Sequence, residues 1–261
     1  MRLPAPDGLA LYVLIGLATG YAALAVESVY LHRGLTHGGL RFSRTGHLVF
    51  RAATWLFIGT TPQKWVAVHR MHHRFSDTDQ DPHSPYNVGV TRILVASAVY
   101  YARAASTTAE LERYARGCEP DELDRRLFRY GGAGLGLFYL GLAGILGWGP
   151  AAVAFLVHAG FYYVVQGFLN GLCHWSLREN RRPTTMNRPW FALLTVGESL
   201  HDNHHDVPQS PSLGRKPWEL DPGWALARVG IALGLVGVTT AGERALRQVA
   251  TAPTRASRPV S

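Results

Sequence analysis

The sequence predicts an all-α integral membrane protein, with about three transmembrane helices and a cytoplasmic helical cap that carries clusters of histidine. Three observations predict this class. Hydrophobic residues make up 47% of the 261 residues and charged residues only 17%, whereas about a quarter of a soluble domain is charged. The apolar residues lie in long uncharged blocks. Most of the twelve histidines fall in short polar clusters beside those blocks.

The first predicted span is Gly8 to Val26, which is 19 residues without a formal charge. A run of this length can cross the hydrocarbon core of a bilayer. A cleaved signal peptide is the alternative, because Arg2 precedes the run and Ala23-Leu24-Ala25 resembles a cleavage site. The run is longer than the apolar region of a typical signal peptide, which favours the span.

A second uncharged block supplies two more predicted spans. Gly131 to Leu177 contains no Asp, Glu, Lys or Arg, and its length suits two crossings. Gly147-Trp148-Gly149-Pro150 is a turn signal with a tryptophan of the type found at membrane interfaces. We therefore expect a helical hairpin at 131–147 and 150–172.

Shorter apolar runs at 52–63 and 93–102 suit interfacial or core helices rather than spans. The glycine-interrupted run 229–242 could lie on the membrane or cross it, and its length favours the surface. We expect residues 1–243 to form one membrane domain. Residues 244–261 are rich in Arg, Ala, Pro and Ser, and we expect them to be a disordered tail.

The net charge of +8 indicates membrane lipids rather than nucleic acid as a partner, because the basic residues form no single helical stripe. Fourteen Lys and Arg lie between positions 31 and 130, and eleven follow position 170. This distribution places both segments in the cytoplasm under the positive-inside rule. The two cysteines lack CxxC spacing, so neither a disulfide framework nor a thiolate metal site is expected.

Nine histidines occur in four short elements. Box one is His32–His37, box two is His69–His73 and box three is His201–His205, and Asn170–His174 adds an Asn and a His four residues apart. On a helix, residues i, i+3 and i+4 share one face, so we expect each HxxHH box to direct its three rings to one place. Imidazole is a good ligand for iron, zinc, copper and nickel. Nine such ligands exceed the needs of one ion, so two metals are implied, at one face of the membrane.

These elements resemble the membrane fatty-acid desaturases of the stearoyl-CoA desaturase type, and most of all their short bacterial members. The resemblance runs from about Glu27 to Arg228. Besides the boxes, it includes Trp65, Asp81–Pro85, Asn170–Trp175, Gly197-Glu198 and Pro217–Trp224. The chain departs from the larger members because only one span fits before box one.

The resemblance implies a di-iron enzyme with O2 as co-substrate, which inserts a cis double bond, near the delta-9 position, into a long saturated acyl chain. It also implies the ligands. Nine histidines would bind the two irons, and an asparagine would reach a metal through water: His32, His37, His69, His72, His73, His174, His201, His204, His205 and Asn170.

The resemblance also implies partners. The acyl chain would be carried by CoA, an acyl-carrier protein or a phospholipid. Electrons would come from a separate donor of the ferredoxin or cytochrome b5 type with its reductase, because no such domain is recognisable in the sequence. The expected location is a bacterial inner membrane with the active site facing the cytoplasm.

Carboxylates commonly orient metal-bound imidazoles. The main candidates are Asp81, Glu198, Asp202 and Glu27, and Asp77, Asp79 and Asp206 are further ones. A solvated loop charge is the alternative for each. Glu27 lies near the end of a span, where a carboxylate is costly without a partner, so it either bonds a ligand or reaches the interface.

Three further interpretations stay open from the sequence. His158 is either packed in the core or lines an acyl tunnel, whose other expected lining is Phe161–Phe168, Trp55 and Trp65. The same di-iron chemistry could hydroxylate or decarboxylate an acyl chain or alkane instead of desaturating it. A histidine-rich metal transporter or a haem protein is the non-enzymatic alternative, but transporters place their ligands within several spans.

Overall fold

The computed structural model describes residues 6–106, 108–175 and 185–251. It is mostly helical, and two of its helices are long and apolar enough to cross a membrane. Helix α1, Pro6–Val26, continues without a break into a π-helical segment, Glu27–Thr36. Helix α8 is Trp148–Leu172. The apolar helix α7, Gly131–Leu146, is shorter.

The two long helices pack against each other along their length. At Gly16 of α1 an added Cβ would lie 2.5 Å from the carbonyl oxygen of Ala154 in α8, so only glycine allows this approach. Helices α7 and α8 form the hairpin that the sequence predicted, joined at Gly147, whose φ of 84° suits glycine.

The remaining helices are short. Box two lies on α3 and box three on α9. The N-termini of α2 and α3 are capped by the hydroxyls of Ser43 and Thr61, which accept backbone N–H bonds. These helices are α2 Arg44–Phe57, α3 Pro62–Phe75, α4 Pro85–Val88, α5 Val90–Ala104, α6 Thr108–Tyr114, α9 His201–Asp206, α10 Pro222–Ala232 and α11 Thr240–Thr251, with a π turn at Asp124–Phe128 and a 3-10 turn at Pro189–Phe191.

The expectation of a purely α-helical chain is corrected by one small antiparallel ribbon. Strand β1, Leu40–Phe42, pairs with β2, Val236–Val238. The pairing fixes the chain after box one to the chain after box three. The ribbon buries Leu40 and Val236 with Val29 of the π-helical segment.

The run 229–242, which the sequence places either on the membrane surface or across the membrane, does not form one continuous helix. It contains the end of α10, a turn at Gly234 with φ of 69°, strand β2 and the start of α11. The expected disordered tail also begins too early, because residues 244–251 continue α11. The rest of that tail, 252–261, lies outside the described residues.

The apolar core lies between the long helices and the chain that leads to box three. Ala23 and Leu24 of α1 meet Val165 and Leu169 of α8, and Val196 packs against them. The core therefore connects the apolar helices to the histidine-bearing segments.

Candidate metal centre

Box one depends on the π-helical winding of Glu27–Thr36. Its histidines are five residues apart, and in an α-helix that spacing would separate them by about 140°. A π-helix bonds residue i to residue i+5, and here the N–H of His37 donates to the carbonyl of His32 at 3.2 Å. The two rings therefore lie on one side, with centroids 4.9 Å apart.

Boxes two and three each contribute to two different groups, which corrects the expectation that each box converges on one place. In an α-helix, residue i+4 is rotated about 40° from residue i, and residue i+3 about 60° the other way. His69 and His73 of α3 join one group and His72 the other. In α9 the assignment is reversed: His204 joins the first group, whereas His201 and His205 join the second.

The nine boxed histidines thus form a five-histidine group and a four-histidine group. Within each group, one nitrogen of every ring lies within 4.8 Å of the others. The five-histidine group is His32, His37, His69, His73 and His204, and the four-histidine group is His72, His174, His201 and His205.

The nitrogens in each group are very close. Nε2 of His204 lies 3.0 Å from that of His32 and 2.9 Å from that of His73. Nε2 of His174 lies 3.1 Å from that of His72 and 2.7 Å from that of His201. Nitrogens that share one ion at about 2.1 Å lie roughly 3 to 4 Å apart, so these distances are close to those of a metal site.

The hydrogen bonds on the other ring nitrogens show why a cation fits the four-histidine group. Nδ1 of His72 faces Asp81 at 3.0 Å, Nδ1 of His174 faces Asp77 at 3.4 Å, and Nδ1 of His201 faces the backbone carbonyl of Glu198 at 3.2 Å. Each oxygen requires N–H at Nδ1, so in a neutral ring Nε2 carries a lone pair. Three lone pairs facing one another repel, and a bound cation would remove that repulsion.

The five-histidine group is organised differently. Nδ1 of His32 lies 2.7 Å from Glu198 Oε2, and the indole of Trp65 stacks on His69 with centroids 4.7 Å apart. Nε2 of His37 and Nδ1 of His204 are buried and have no hydrogen-bond partner among the described residues. Buried polar atoms without a partner are costly, and an ion bound to His37 Nε2 would satisfy that atom.

Glu198 contacts both histidine groups, because its carboxylate faces His32 and its backbone carbonyl faces His201. Its carboxylate reaches His32, accepts a 2.5 Å bond from Ser28 and lies 3.4 Å from Arg33. Arg33 itself is fully buried and donates to Asp221 at 2.8 Å. Glu198 is a candidate from the sequence and Arg33 is not, although an arginine between two histidines of a buried box must itself find a carboxylate.

Of the other candidate carboxylates, Asp81 and Asp77 are buried against ligand histidines, as described above. Asp79 is exposed. Asp202 accepts a bond from Thr185 at 2.9 Å, and Asp206 accepts one from Arg215 at 2.9 Å.

Two site candidates predicted from the sequence, Glu27 and Asn170, lie outside the histidine groups. Their side chains form hydrogen bonds between α8 and neighbouring helices. Glu27 is buried and accepts bonds from Tyr162 and from Gln166. Asn170 donates to Ser97 at 2.8 Å. It was expected to share a helical face with His174, but α8 ends at Leu172, so His174 lies beyond the helix.

Two other histidines have clear surroundings. His158 is packed in the core, since its ring nitrogens lie 2.8 Å from the carbonyl of Phe57 and 3.2 Å from the hydroxyl of Thr19. His83 is buried and stacks on His72 with centroids 4.5 Å apart. Burial and the neighbouring His72 lower the pKa of His83 to about 3. His83 therefore stays neutral and supports the His72 ring.

Burial also controls the protonation of the ligand candidates. It lowers the pKa of six rings well below the usual range, so they stay neutral at pH 7, the form that binds metal: His37, His69, His73, His201, His204 and His205. Burial also disfavours charge on His72 and Asp81, but their mutual attraction outweighs it, raising the pKa of His72 and lowering that of Asp81.

A cavity of about 550 Å³ lies beside these groups. Trp65, which stacks on His69, and Asn170 line its inner part, with Tyr162 and Gln166 of α8 and Tyr101 of α5. Part of the tunnel lining predicted from the sequence, including Trp65 and Tyr162, therefore lines this cavity. Trp55 is elsewhere, with its indole N–H donating to the carbonyl of Tyr130.

Comparison with known proteins agrees with this arrangement. The family model described as fatty acid desaturase matches residues 8–234. This chain belongs to the fatty acid desaturase family. It is therefore an acyl desaturase, an oxidoreductase of lipid metabolism, and members of this family generally use a di-iron centre.

Named relatives of this desaturase come from plants and a cyanobacterium. Delta-9 acyl-lipid desaturase 2 of Arabidopsis thaliana is 31% identical over 83% of this chain and 72% of its own length. Icosanoyl-CoA 5-desaturase of Limnanthes douglasii is 29% identical over 86% of this chain and 62% of its own. The sn-1 stearoyl-lipid 9-desaturase of Synechocystis sp. is 28% identical over 86% and 68%, respectively.

Proposed function

We propose that this desaturase uses O2 and two irons to insert a cis double bond, near the delta-9 position, into a long saturated acyl chain. The observation that carries the proposal is the pair of histidine groups, five and four, in which six pairs of neighbouring rings have their Nε2 atoms 2.7 to 3.2 Å apart. All nine boxed histidines would be ligands. When bound, the iron pair supplies the redox chemistry with O2 that an unactivated methylene pair requires.

The chain's own residues hold the rings ready for the metals. Asp81 and Asp77 keep the proton of His72 and His174 on Nδ1, and the carboxylate of Glu198 faces Nδ1 of His32. Carboxylates in this position fix the ring orientation and raise its basicity as a ligand. We further propose that Asn170 holds a water against the four-histidine group, because that group has one ring fewer than its neighbour.

The cavity would hold the acyl chain next to the metals. Its volume of about 550 Å³ lies within the range of sites that bind small ligands. Several polar side chains in its wall bond one another, including Thr60 with Tyr101 and Asn170 with Ser97. Their bonding capacity is thus partly used before substrate enters, which suits a hydrocarbon. Fixing one C–C bond beside the reacting centre is the main contribution a rigid cavity makes.

The outer part of the cavity would receive the acyl carrier. Lys64 and Arg129 line it and are exposed. Two cations suit the phosphate that CoA, carrier-protein and phospholipid substrates share. The relatives named for acyl-lipid and acyl-CoA substrates make both classes worth testing. Electrons would come from a separate ferredoxin or cytochrome b5 type donor.

The membrane arrangement is part of the proposal. We propose that α1 and α8 cross the bilayer, that α7 completes the hairpin as a third span, and that residues 1–243 form the membrane domain. The histidine groups would then lie in a helical cap on the basic, cytoplasmic side of a bacterial inner membrane. Two apolar helices and the family membership support this arrangement.

The test is the fatty-acid profile of a bacterial host that expresses this chain with a ferredoxin and its reductase. Gas chromatography–mass spectrometry after double-bond derivatisation would show new mono-unsaturated chains near C9 with the wild type. His204→Ala should abolish them, whereas His47→Gln, a histidine bonded to Tyr30 outside both groups, should retain them.

Other products would redirect the proposal. Hydroxylated or shortened chains would keep the metal site but assign the related hydroxylase or decarboxylase reaction. A purified wild type that takes up no iron would overturn the di-iron site. A metal transporter or haem protein would produce no new lipid and, for haem, would show a Soret absorption band.

A further inference from the structure

The chain between Arg188 and Ser199 forms a closed loop at the base of box three. The N–H of Arg188 donates to the carbonyl of Ser199 at 2.7 Å, and the Ser199 hydroxyl donates back to the carbonyl of Arg188 at 2.9 Å. An isolated β-bridge between Asn187 and Leu200 reinforces this closure. A loop of this length with touching ends is a compact Ω-type loop. It ends two residues before His201.

The tip of this loop exposes large apolar side chains. Trp190 is 92% exposed, Leu193 57%, Leu194 52% and Phe191 42%. No Asp, Glu, Lys or Arg occurs between positions 189 and 197. Exposed clusters of this kind on a protein mark an interaction surface.

The loop is a rigid support for that tip. The N–H groups of Ala192, Thr195 and Gly197 donate to carbonyls within the loop at 2.7 to 3.1 Å. Thr195 also donates its hydroxyl to the carbonyl of Phe191. Ala192 and Val196 are fully buried. Local satisfaction of backbone groups is what a non-helical segment needs if it is to enter an apolar medium.

The position of the loop beside α8 indicates what covers its exposed apolar tip. Phe191 packs on Phe168 of α8 with ring centroids 4.6 Å apart, so the exposed tip continues the apolar surface of a helix that we propose to span the membrane. Farther along that helix, Leu156 is 69% exposed. Tryptophan beside leucine is the usual composition of a segment at the membrane interface.

We infer that the loop Arg188–Ser199 inserts its tip, Trp190 to Leu194, into the interfacial region of the lipid bilayer. This inference rests on the proposed span of α8. It gives the chain before box three a lipid anchor of its own. The histidine groups are then held at a fixed depth from two directions, by the long helices and by this loop.

The test measures the depth of the tip by electron paramagnetic resonance. Trp190→Cys and Leu194→Cys are spin-labelled in full-length Cys118→Ser protein reconstituted in phosphatidylcholine vesicles. Cys173 is fully buried and does not compete for label. Leu156→Cys on α8 is the lipid control, and Glu112→Cys on the exposed face of α6 is the water control. Collisions with O2 report lipid, and collisions with a nickel chelate report water.

We expect the O2-to-nickel collision ratio at both tip positions to exceed that at position 112 by at least about fivefold, because water is excluded from the apolar region. A ratio equal to that at position 112 overturns the inference. Low collision with both reagents, with spin–spin broadening between labels, would instead assign the tip to contact with a second copy and also overturn it.

The measurement needs neither iron nor substrate, so a failure of the di-iron proposal does not change it. If the Leu156 label itself collides mainly with nickel, α8 is not in lipid, and both the span and the loop insertion are overturned. Circular dichroism of each labelled variant verifies that the helices have formed.

Discussion

The two histidine groups use the same chemistry with different support. In the four-histidine group, three of the rings have Nδ1 facing an oxygen of the protein. In the five-histidine group, Nδ1 of His32 faces a carboxylate, whereas Nδ1 of His204 has no hydrogen-bond partner within the part of the chain that the structure describes. The protein alone therefore orients the four-histidine group, whereas an ion bound to the five-histidine group would supply part of the orientation of its rings. If both groups bind iron as we propose, the fifth ring would compensate for the missing hydrogen-bonded support.

The largest expected effect is the loss of one ligand from either group. His69→Ala affects the five-histidine group and His205→Ala the four-histidine group. Each should lower the iron content from two to about one per chain and abolish alkene formation, because neither ion can be replaced by its neighbour. Elemental analysis of the purified protein measures the first effect. His158→Gln should retain both irons, and its loss of iron would contradict the division into groups.

Arg33 should stabilise the segment that carries both groups, because it lies 3.4 Å from the carboxylate of Glu198, which faces His32, and the backbone carbonyl of Glu198 faces His201. Arg33→Met leaves the buried carboxylates of Glu198 and Asp221 without their cation. Removing one partner of a buried pair costs about 3 to 5 kcal/mol, which corresponds to a fall in Tm of roughly 6 to 15 °C. Thermal unfolding in detergent measures it. The exposed Arg74→Met is the matched control, and an equal Tm in both variants would rule out this role.

A change of the supporting carboxylates should separate the groups. Asp81→Asn replaces the carboxylate that faces His72 with a neutral amide, and Glu198→Gln does the same for the carboxylate that faces His32. The loss of such support lowers metal affinity by about 10- to 100-fold. Competitive chelation of the iron-loaded protein should show that each variant releases one iron early.

Asp79→Asn, in the same loop as Asp81 but exposed, should release iron as the wild type does. If Asp81→Asn and Glu198→Gln both release the two irons together, the groups do not act separately.

The smallest expected effect is a pH dependence of the metal-free protein. Burial lowers the pKa of His37, His69, His73 and three further ring histidines. As pH falls below about 6.5, the unfolded chain takes up protons that the folded chain does not bind, so the free energy of unfolding falls.

His72 opposes this trend, because its raised pKa adds stability as pH falls. Asp81 and Glu198 have lowered pKa values. Their contribution to stability is the same at pH 8 and pH 6, because both of these pH values are above the pKa of a carboxyl group in the unfolded chain. The Tm of the metal-free protein should thus be lower at pH 6 than at pH 8. A higher Tm at pH 6 would show that the paired His72 dominates.

The sequence by itself determined the helical class, the α7–α8 hairpin, the family and the nine histidines. These follow from local chemistry: long uncharged runs favour an apolar medium, and His at fixed spacing indicates candidate metal ligands. The short ribbon and the helix at 244–251 did not follow from the sequence, because strand pairing and the packing of α11 depend on chain segments about 200 residues away.

Only the tertiary structure decided how the histidines divide. The helical period predicts that His72 points away from His69 and His73. Which group each ring joins depends on how α3 and α9 pack. The spacing in box one gave no shared face until the π-helical winding brought His32 and His37 together. The roles of Arg33, Asp77 and Glu198 likewise came from contacts across the chain. Sequence specifies which side chains can bind a metal, whereas the packing of distant segments decides which of them lie in the same group.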